Sequence, residues 1–188
     1  MASMAIDSKI VKVCGHTEVD TIRYHSVRER ELELKTSRRS MCRVCAQKIE
    51  QWMSLPGQAK LGFELSPIVG TDKQIPWATE VRGKKVDAIA HILIEVSEQA
   101  TLGDPAALGL YRALLTYIGV AKAKYWIDSR SEVLSHWHFR HEAEKCMRQD
   151  EPSDKHGDFS AYGHWRLTDP QLLARIKLAQ PDPQLRAS

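Results

Sequence analysis

The chain has no long hydrophobic run: its longest apolar stretches, such as Ile92 to Ile94, fall far short of the roughly 20 residues that a membrane-spanning helix needs. No apolar segment with a small-residue cleavage site lies near Met1, so the expected location is the cytoplasm. The sequence also lacks a Gly-rich loop ending in Lys-Ser/Thr, a GxSxG elbow and an HExxH pair. With them go the usual signatures of nucleotide-phosphate binding, serine hydrolysis and zinc-dependent proteolysis. There is no internal repeat and no low-complexity tract. Nor is the charge lopsided: 27 Lys and Arg against 24 Asp and Glu leave +3 and a pI near 8.7, a mildly basic balance that admits a nucleic-acid or acidic-protein partner without demanding one.

What is present is ordinary globular composition. With 43% hydrophobic and 27% charged residues, the chain is unlike disordered, collagen-like or coiled-coil sequences. Its 188 residues suffice for one domain plus a small appended one.

Cysteine is scarce and unevenly placed. Of four cysteines, three cluster with a histidine, as Cys14-Gly15-His16 and Cys42-Arg43-Val44-Cys45, while Cys146 stands alone. Short spacings of this kind point to metal binding in a reducing compartment rather than to a disulfide framework. Tetrahedral Zn2+ takes four nitrogen or sulfur ligands, and a CxxC pair brings two thiolates to one ion from a single turn. Gly15 supplies the backbone freedom of a metal knuckle, and Arg38, Arg39 and Arg43 would favour thiolates nearby. Four protein ligands leave no open position, so the expected ion is one structural zinc held by Cys14, His16, Cys42 and Cys45.

Residues Ile10 to Cys14 and Thr17 to Tyr24 read as two strands around a tight turn. Ser26 with Glu29 has capping-box spacing, and Glu31 to Lys35 is a favourable i,i+4 pair, so a helix is expected from Val27; the alternation of charge with Leu32 and Leu34 fits a strand as well. A second helix is expected after Cys45, through Ile49 and Trp52, ending before Pro56-Gly57. The organisation follows: a zinc-ribbon module over 1–56, a linker over 57–70, and an all-α domain of four or five helices over 71–188. The fold class is α+β.

Within the helical part, Thr71 caps a helix from Asp72 that Pro76 should kink or limit. Val86, Ile89, Ala90, Leu93 and Val96 recur at helical spacing. Asp104-Pro105 opens a nearly all-apolar central helix. Ser129 with Glu132 opens another, running to about Met147. A loop is expected over 151–163, before Asp169-Pro170 starts the last helix.

A second candidate site is the run from His136 to Glu142. On a helix, His138, His141 and Glu142 share one face and would suit a metal-dependent nuclease or hydrolase, with His156, Asp158 and His164 as loop ligands. The opposing reading is a solvated face that continues through Lys145 and Gln149. Cys146, beside Met147 on the apolar side, reads as an inert buried thiol.

Two further segments carry tryptophan among charges: Lys73-Gln74-Ile75-Pro76-Trp77-Ala78-Thr79-Glu80-Val81-Arg82 and Lys124-Tyr125-Trp126-Ile127-Asp128-Ser129-Arg130. Together with the cysteines, they resemble a group of small zinc-ribbon proteins carried on bacterial phages, plasmids and integrative elements, which share KQIxWAxxIR-like and WIDxR-like stretches. Pro76 and Val81 depart from that pattern. The resemblance implies an accessory protein of a mobile genetic element, and it names no activity. In that setting a protein-binding inhibitor of host defence, anti-CRISPR-like, is one expectation, with Lys73, Gln74, Trp77, Arg82, Trp126, Asp128 and Arg130 as partner-binding candidates. The opposing reading, favoured because tryptophan is mostly buried, makes Trp77 and Trp126 core anchors of two packed helices, with Asp128 paired to Arg82 or Arg130. The other expectation is nucleic-acid binding by Arg28, Arg30, Lys35, Arg38, Arg39 and Arg43, interrupted by Glu29, Glu31 and Glu33. Both describe a non-enzymatic binding protein.

Overall fold

The structure is a computed structural model and describes residues 3–149 and 160–181. It is α+β: an N-terminal antiparallel pair, β1 (Met4–Val11) and β2 (Thr17–Tyr24), precedes helices that make up most of the chain. The helices are α1 (Val27–Arg39), α2 (Arg43–Met53), α3 (Gln74–Asp87), α4 (Ala90–Thr101), α5 (Pro105–Ile118), α6 (Ala123–Asp128), α7 (His136–Met147), α8 (Ala161–Thr168) and α9 (Pro170–Leu178).

The first strand lies earlier than expected. Met4 to Ile10 pairs with β2 in the register Ile6↔Ile22, Ser8↔Asp20 and Ile10↔Glu18, and Cys14 falls in the connecting knuckle. There Gly15 has φ +79, in the left-handed region that suits glycine. The Lys12 N–H donates to the His16 carbonyl at 2.8 Å, and the Gly15 N–H to the Lys12 carbonyl at 2.9 Å.

α1 is a helix rather than a strand because its start is doubly capped. Ser26 Oγ accepts from the Glu29 N–H at 3.2 Å, and Glu29 Oε2 accepts from the His25 N–H at 2.6 Å. No residue of α1 is buried. What holds it to the sheet is a polar network under the knuckle: the buried Lys12 ammonium donates to Ser37 Oγ at 2.9 Å and pairs with Asp20 at 2.5 Å.

α2 packs on α4, α5 and α7. One continuous apolar core therefore runs from Cys14, Met41, Cys45 and Ile49 to Leu110, Leu114, Trp126 and Phe139. Its centre is α5, capped by Asp104, whose carboxylate accepts from the Ala106 and Ala107 N–H groups at 2.9 and 3.1 Å. Tyr117 of α5 meets Trp126 and Phe139 edge-on at 5.1 and 5.5 Å between ring centroids. Segment 57–70 carries no helix or strand. At its end Val69 bridges to Lys122, with the Val69 N–H on the Ala121 carbonyl at 2.7 Å.

Several element boundaries differ from expectation for identifiable reasons. Thr71 and Gln74 exchange caps, with each N–H donating to the other's side-chain oxygen at 3.2–3.3 Å. The helix thus begins at Gln74, and Pro76 sits in its first turn, where a missing N–H costs nothing. The apolar period across Val86 to Val96 is shared by two helices broken at Ala88–Ile89. α7 starts not at Ser129 but at Ser135, whose Oγ caps the His138 N–H at 3.2 Å; Ser129 instead closes α6, the short helix that carries Trp126. α8 begins at Ala161, inside the expected 151–163 loop. The part after residue 71 thus holds seven helices among the described residues rather than four or five. None of the described helices is long and apolar enough to cross a membrane.

Candidate metal centre

The β1–β2 knuckle and the N-terminus of α2 bring four donors together. Ligand atoms of Cys14, His16, Cys42 and Cys45 all lie within 4.8 Å of one another, three of the four residues being buried and His16 exposed. His16 Nδ1 is 3.5 Å from Cys42 Sγ and 3.2 Å from Cys45 Sγ. A tetrahedron with metal–sulfur bonds of about 2.3 Å and metal–nitrogen bonds of about 2.0 Å has S···N edges of about 3.5 Å, so the quartet has the dimensions to hold one ion.

Local structure arranges this. Cys42 is the N-cap of α2, and its Sγ accepts from the Cys45 N–H at 3.4 Å. The Cys42 N–H in turn donates to Cys14 Sγ at 3.4 Å. The three sulfurs are therefore drawn together at the N-terminus of α2. Burial pushes the Cys14 thiol up, but hydrogen bonds from the Cys42 and His16 backbone outweigh it and the net shift is downward. The Cys45 thiol is pushed well up, by burial and then by the sulfurs of Cys42 and Cys14. Three thiolates side by side repel one another, and a divalent cation at their centre removes that repulsion.

Contacts around the quartet come from far along the chain. Val13 donates its N–H to the Ser40 carbonyl at 3.2 Å, and Glu18 accepts from the Arg43 N–H at 3.3 Å. Lys48 of α2 lies where Cys45 and Cys42 both raise its pKa, after the larger effect of its hydrogen bond to Asp104. Glu144 of α7, buried at 3% exposure, accepts from the Met41 N–H at 3.0 Å, one residue before Cys42. Arg148 holds the Arg39 carbonyl through Nε and Nη2 at 3.3 and 3.2 Å. The loop that carries the CxxC pair is thus gripped by α7. Sequence spacing gave no sign of these roles, because the contacts that tie Glu144 to Met41, Arg148 to Arg39 and Lys12 to Ser37 each span at least 25 residues.

The second candidate site is built differently from either reading of it. His138 and His141 line a cleft of about 640 Å³ with Trp137, Glu142 and Lys145, yet Glu142 is not solvated. It is 2% exposed, accepting from Lys145 Nζ at 3.1 Å and from the Tyr162 N–H at 2.8 Å, where it caps α8. His141 Nδ1 turns to Glu144 at 3.1 Å. His164 packs on Tyr125 and Trp165. His156 and Asp158 lie outside the described residues. Among the described residues, the Cys14 quartet is the cluster that can hold a metal ion.

The partner-binding candidates divide. Trp126 is fully buried, its indole N–H on the Val120 carbonyl at 2.7 Å. Arg82 is buried with its guanidinium on the Ser66 carbonyl at 2.8 Å. Both are anchors of the fold. Asp128 pairs with Lys124 at 2.7 Å rather than with Arg82 or Arg130, and Gln74 is used in the cap of α3. Trp77 is instead 48% exposed, with the Arg130 guanidinium 5.6 Å from its ring centre and Lys73 exposed on the same helix start. Of the basic candidates, Arg28, Arg30, Lys35, Arg38 and Arg43 are exposed and Arg39 is half-buried. Cys146 is buried beside Thr116 Oγ1 at 3.7 Å, and burial pushes its thiol up to about 12.

Comparisons with protein-family models, with curated proteins and with solved structures find no match to this chain.

Proposed function

We propose that this chain is a non-catalytic binding protein in which one structural zinc ion fixes the N-terminal hairpin to α2, and whose basic surface binds nucleic acid. The observation that carries the reading is the closed quartet of Cys14, His16, Cys42 and Cys45 within 4.8 Å. Four protein donors fill a tetrahedral ion, which then serves structure rather than catalysis. The ion is needed because α1 buries no residue and β1 and β2 bury only Ile10 and Ile22, too little apolar area to hold the hairpin and α1 in place. The exposed cations of α1 and the start of α2 supply contacts suited to phosphate. The KQIPWATEVR and KYWIDSR segments support placing the protein among accessory proteins of mobile genetic elements.

The test combines metal analysis with binding. Protein purified without chelators is expected to contain one zinc per chain, and to bind DNA or RNA with an affinity that falls steeply with salt and depends little on sequence. Absence of zinc overturns the first half, and absence of binding even at low salt overturns the second.

One observation favours a protein partner as the second reading. Trp77 lies exposed beneath Arg130, and an accessible aromatic with a stacked guanidinium is the usual anchor of a protein interface. An inhibitor of a host-defence protein would use such a surface. The hydrolase reading is the weakest, since both oxygens of Glu142 already accept hydrogen bonds and a metal would have to displace them. Metal-stimulated cleavage of nucleic acid that disappears in His138→Ala with His141→Ala would restore it.

A further inference from the structure

β1 is an edge strand with one side unused. The Lys12 N–H donates to the His16 carbonyl at 2.8 Å, and these two residues continue the register that pairs Ile10 with Glu18 and Ile6 with Ile22. Hydrogen-bonded pairs alternate with non-hydrogen-bonded ones along an antiparallel ladder. The even-numbered residues of β1 therefore bond to β2, and the N–H and C=O groups of Ala5, Asp7, Lys9 and Val11 point the other way. The sheet has two strands, and these four residues are exposed. Among the described residues, no hydrogen bond reaches their outward backbone groups.

An open row of this kind accepts another strand, and the charges along it select which. Consider a second β1 running antiparallel with Ser8 opposite Ser8. Asp7 then falls opposite Lys9 of the second copy, and Lys9 opposite its Asp7. Ala5 meets Val11 on the same face, and Ile6 meets Ile10 on the other. This register joins the outward groups of the two strands as hydrogen-bonded pairs, with about eight backbone bonds. Sliding by two residues sets Asp7 against Asp7 in one direction and Lys9 against Lys9 in the other, and like charges directly opposite are destabilising. A slide of one residue exchanges the faces of the strand. A lone lysine on an edge keeps other strands away; with Asp7 two positions before it, Lys9 becomes half of a complementary pair. The outer edge of β2 has no such pattern, since Thr17, Val19, Thr21 and Arg23 bring one charge and no counter-charge. Pairing β1 with β2 of the next copy would extend without closing, whereas β1 on β1 is two-fold and closes at two copies.

We infer that β1 is the interface of a homodimer, in which two copies join edge to edge into a four-stranded antiparallel sheet centred on Ser8. Met4 and Ile6, exposed because α1 lies chiefly over β2, flank the seam and give the pairing apolar area to cover. The two-fold axis crosses the sheet, so both α1 helices lie on the same side of it. The dimer depends on neither the nucleic-acid reading nor the inhibitor reading.

The experiment is sedimentation velocity on protein purified without chelators, at about 50 mM salt, where charge pairs are less screened, and over about 1 to 100 µM chain. Wild type is expected to pass from monomer to dimer across that range. Asp7→Lys and Lys9→Asp each set like charges across both halves of the seam, and each is expected to raise the dissociation constant about tenfold or more. The double variant Asp7→Lys with Lys9→Asp restores opposite charges and is expected to return to within about threefold of wild type. An equimolar mixture of the two single variants should likewise form a mixed dimer, which also establishes that both are folded. Arg23→Glu, on the outer edge of β2, should change nothing. Wild-type protein that stays monomeric throughout overturns the second copy as occupant, with a strand of another protein as the alternative. A dimer that both single variants leave intact, or that Arg23→Glu abolishes, overturns the β1 seam. Loss that neither the double variant nor the mixture restores overturns the Asp7 to Lys9 register.

Discussion

At the scale of single residues, the four cysteines separate into two chemical types. Cys14, Cys42 and Cys45 are drawn together at the N-terminus of α2, an environment for thiolates that share a cation. Cys146 is 1% exposed, and its thiol is pushed up to about 12 by burial and then by Glu142, so at neutral pH it stays protonated and inert. A thiol reagent such as dithionitrobenzoate at pH 8 is therefore expected to find almost no reactive thiol in the native protein. After a strong chelator it should find the three clustered thiols, and in denaturant all four. Rapid reaction of a thiol in the native metal-loaded protein would contradict this assignment. Glu144 acts at the same scale. Its carboxylate on the Met41 N–H holds the residue next to Cys42, and outer contacts of this kind typically affect metal affinity by about 10- to 100-fold. Glu144→Ala is expected to release zinc to a competing chelator at least about tenfold more readily, with Glu144→Gln nearer to wild type because the amide oxygen still accepts.

Among the helices, α2 and α5 are joined by one carboxylate doing two jobs. Asp104 caps α5 and pairs with Lys48 of α2. Burial pushes its carboxyl up, but the hydrogen bonds from Lys48 and from the Ala107 N–H bring it below the ordinary range. A group depressed in the folded state stabilises fully above its unfolded value of about 3.9, and that contribution fades as pH falls through the folded value. Asp104→Ala removes cap and pair together and is expected to cost about 1–2 kcal/mol at pH 7. Asp104→Asn keeps a capping oxygen and should cost less. Urea denaturation at pH 7 and near pH 3 checks both parts: the difference between wild type and Asp104→Asn is expected to shrink in acid. A difference that grows in acid would mean that the carboxylate is not the stabilising form.

For the whole molecule, the consequence of metal removal depends on the continuity of the core. A structural zinc contributes on the order of 10 kcal/mol in small modules, comparable with the entire stability of an ordinary domain. α1 has no buried residue to fall back on, so the hairpin and α1 are expected to come loose without the ion. α2 is different, because Ile49 is fully buried and the helix packs on α4, α5 and α7. Chelation or Cys45→Ser should therefore lower the melting temperature of the helical part too, and the zinc-loaded protein should melt in a single transition followed by calorimetry. Two well-separated transitions, with the later one insensitive to chelator, would show that the contacts of α2 contribute little to the rest.

The sequence by itself determined what depends on near neighbours. Ligand types and the CxxC spacing were enough to bring Cys14, His16, Cys42 and Cys45 into one candidate site, because the knuckle and the helix start are each made within a few residues. The Ser26, Asp104 and Asp169 caps likewise placed α1, α5 and α9, since a cap is a contact over two or three residues. Tertiary structure decided whatever depends on distant packing. It broke the apolar period of Val86 to Val96 into two helices, buried Trp126 while leaving Trp77 exposed, and turned Glu142 from a member of a polar face into the cap of α8. The physical reason is the same in each case: a helical pattern shows which residues share a face, but whether that face meets water, a core or another helix's N-terminus depends on segments up to 109 residues away, as Arg148 and Arg39 demonstrate.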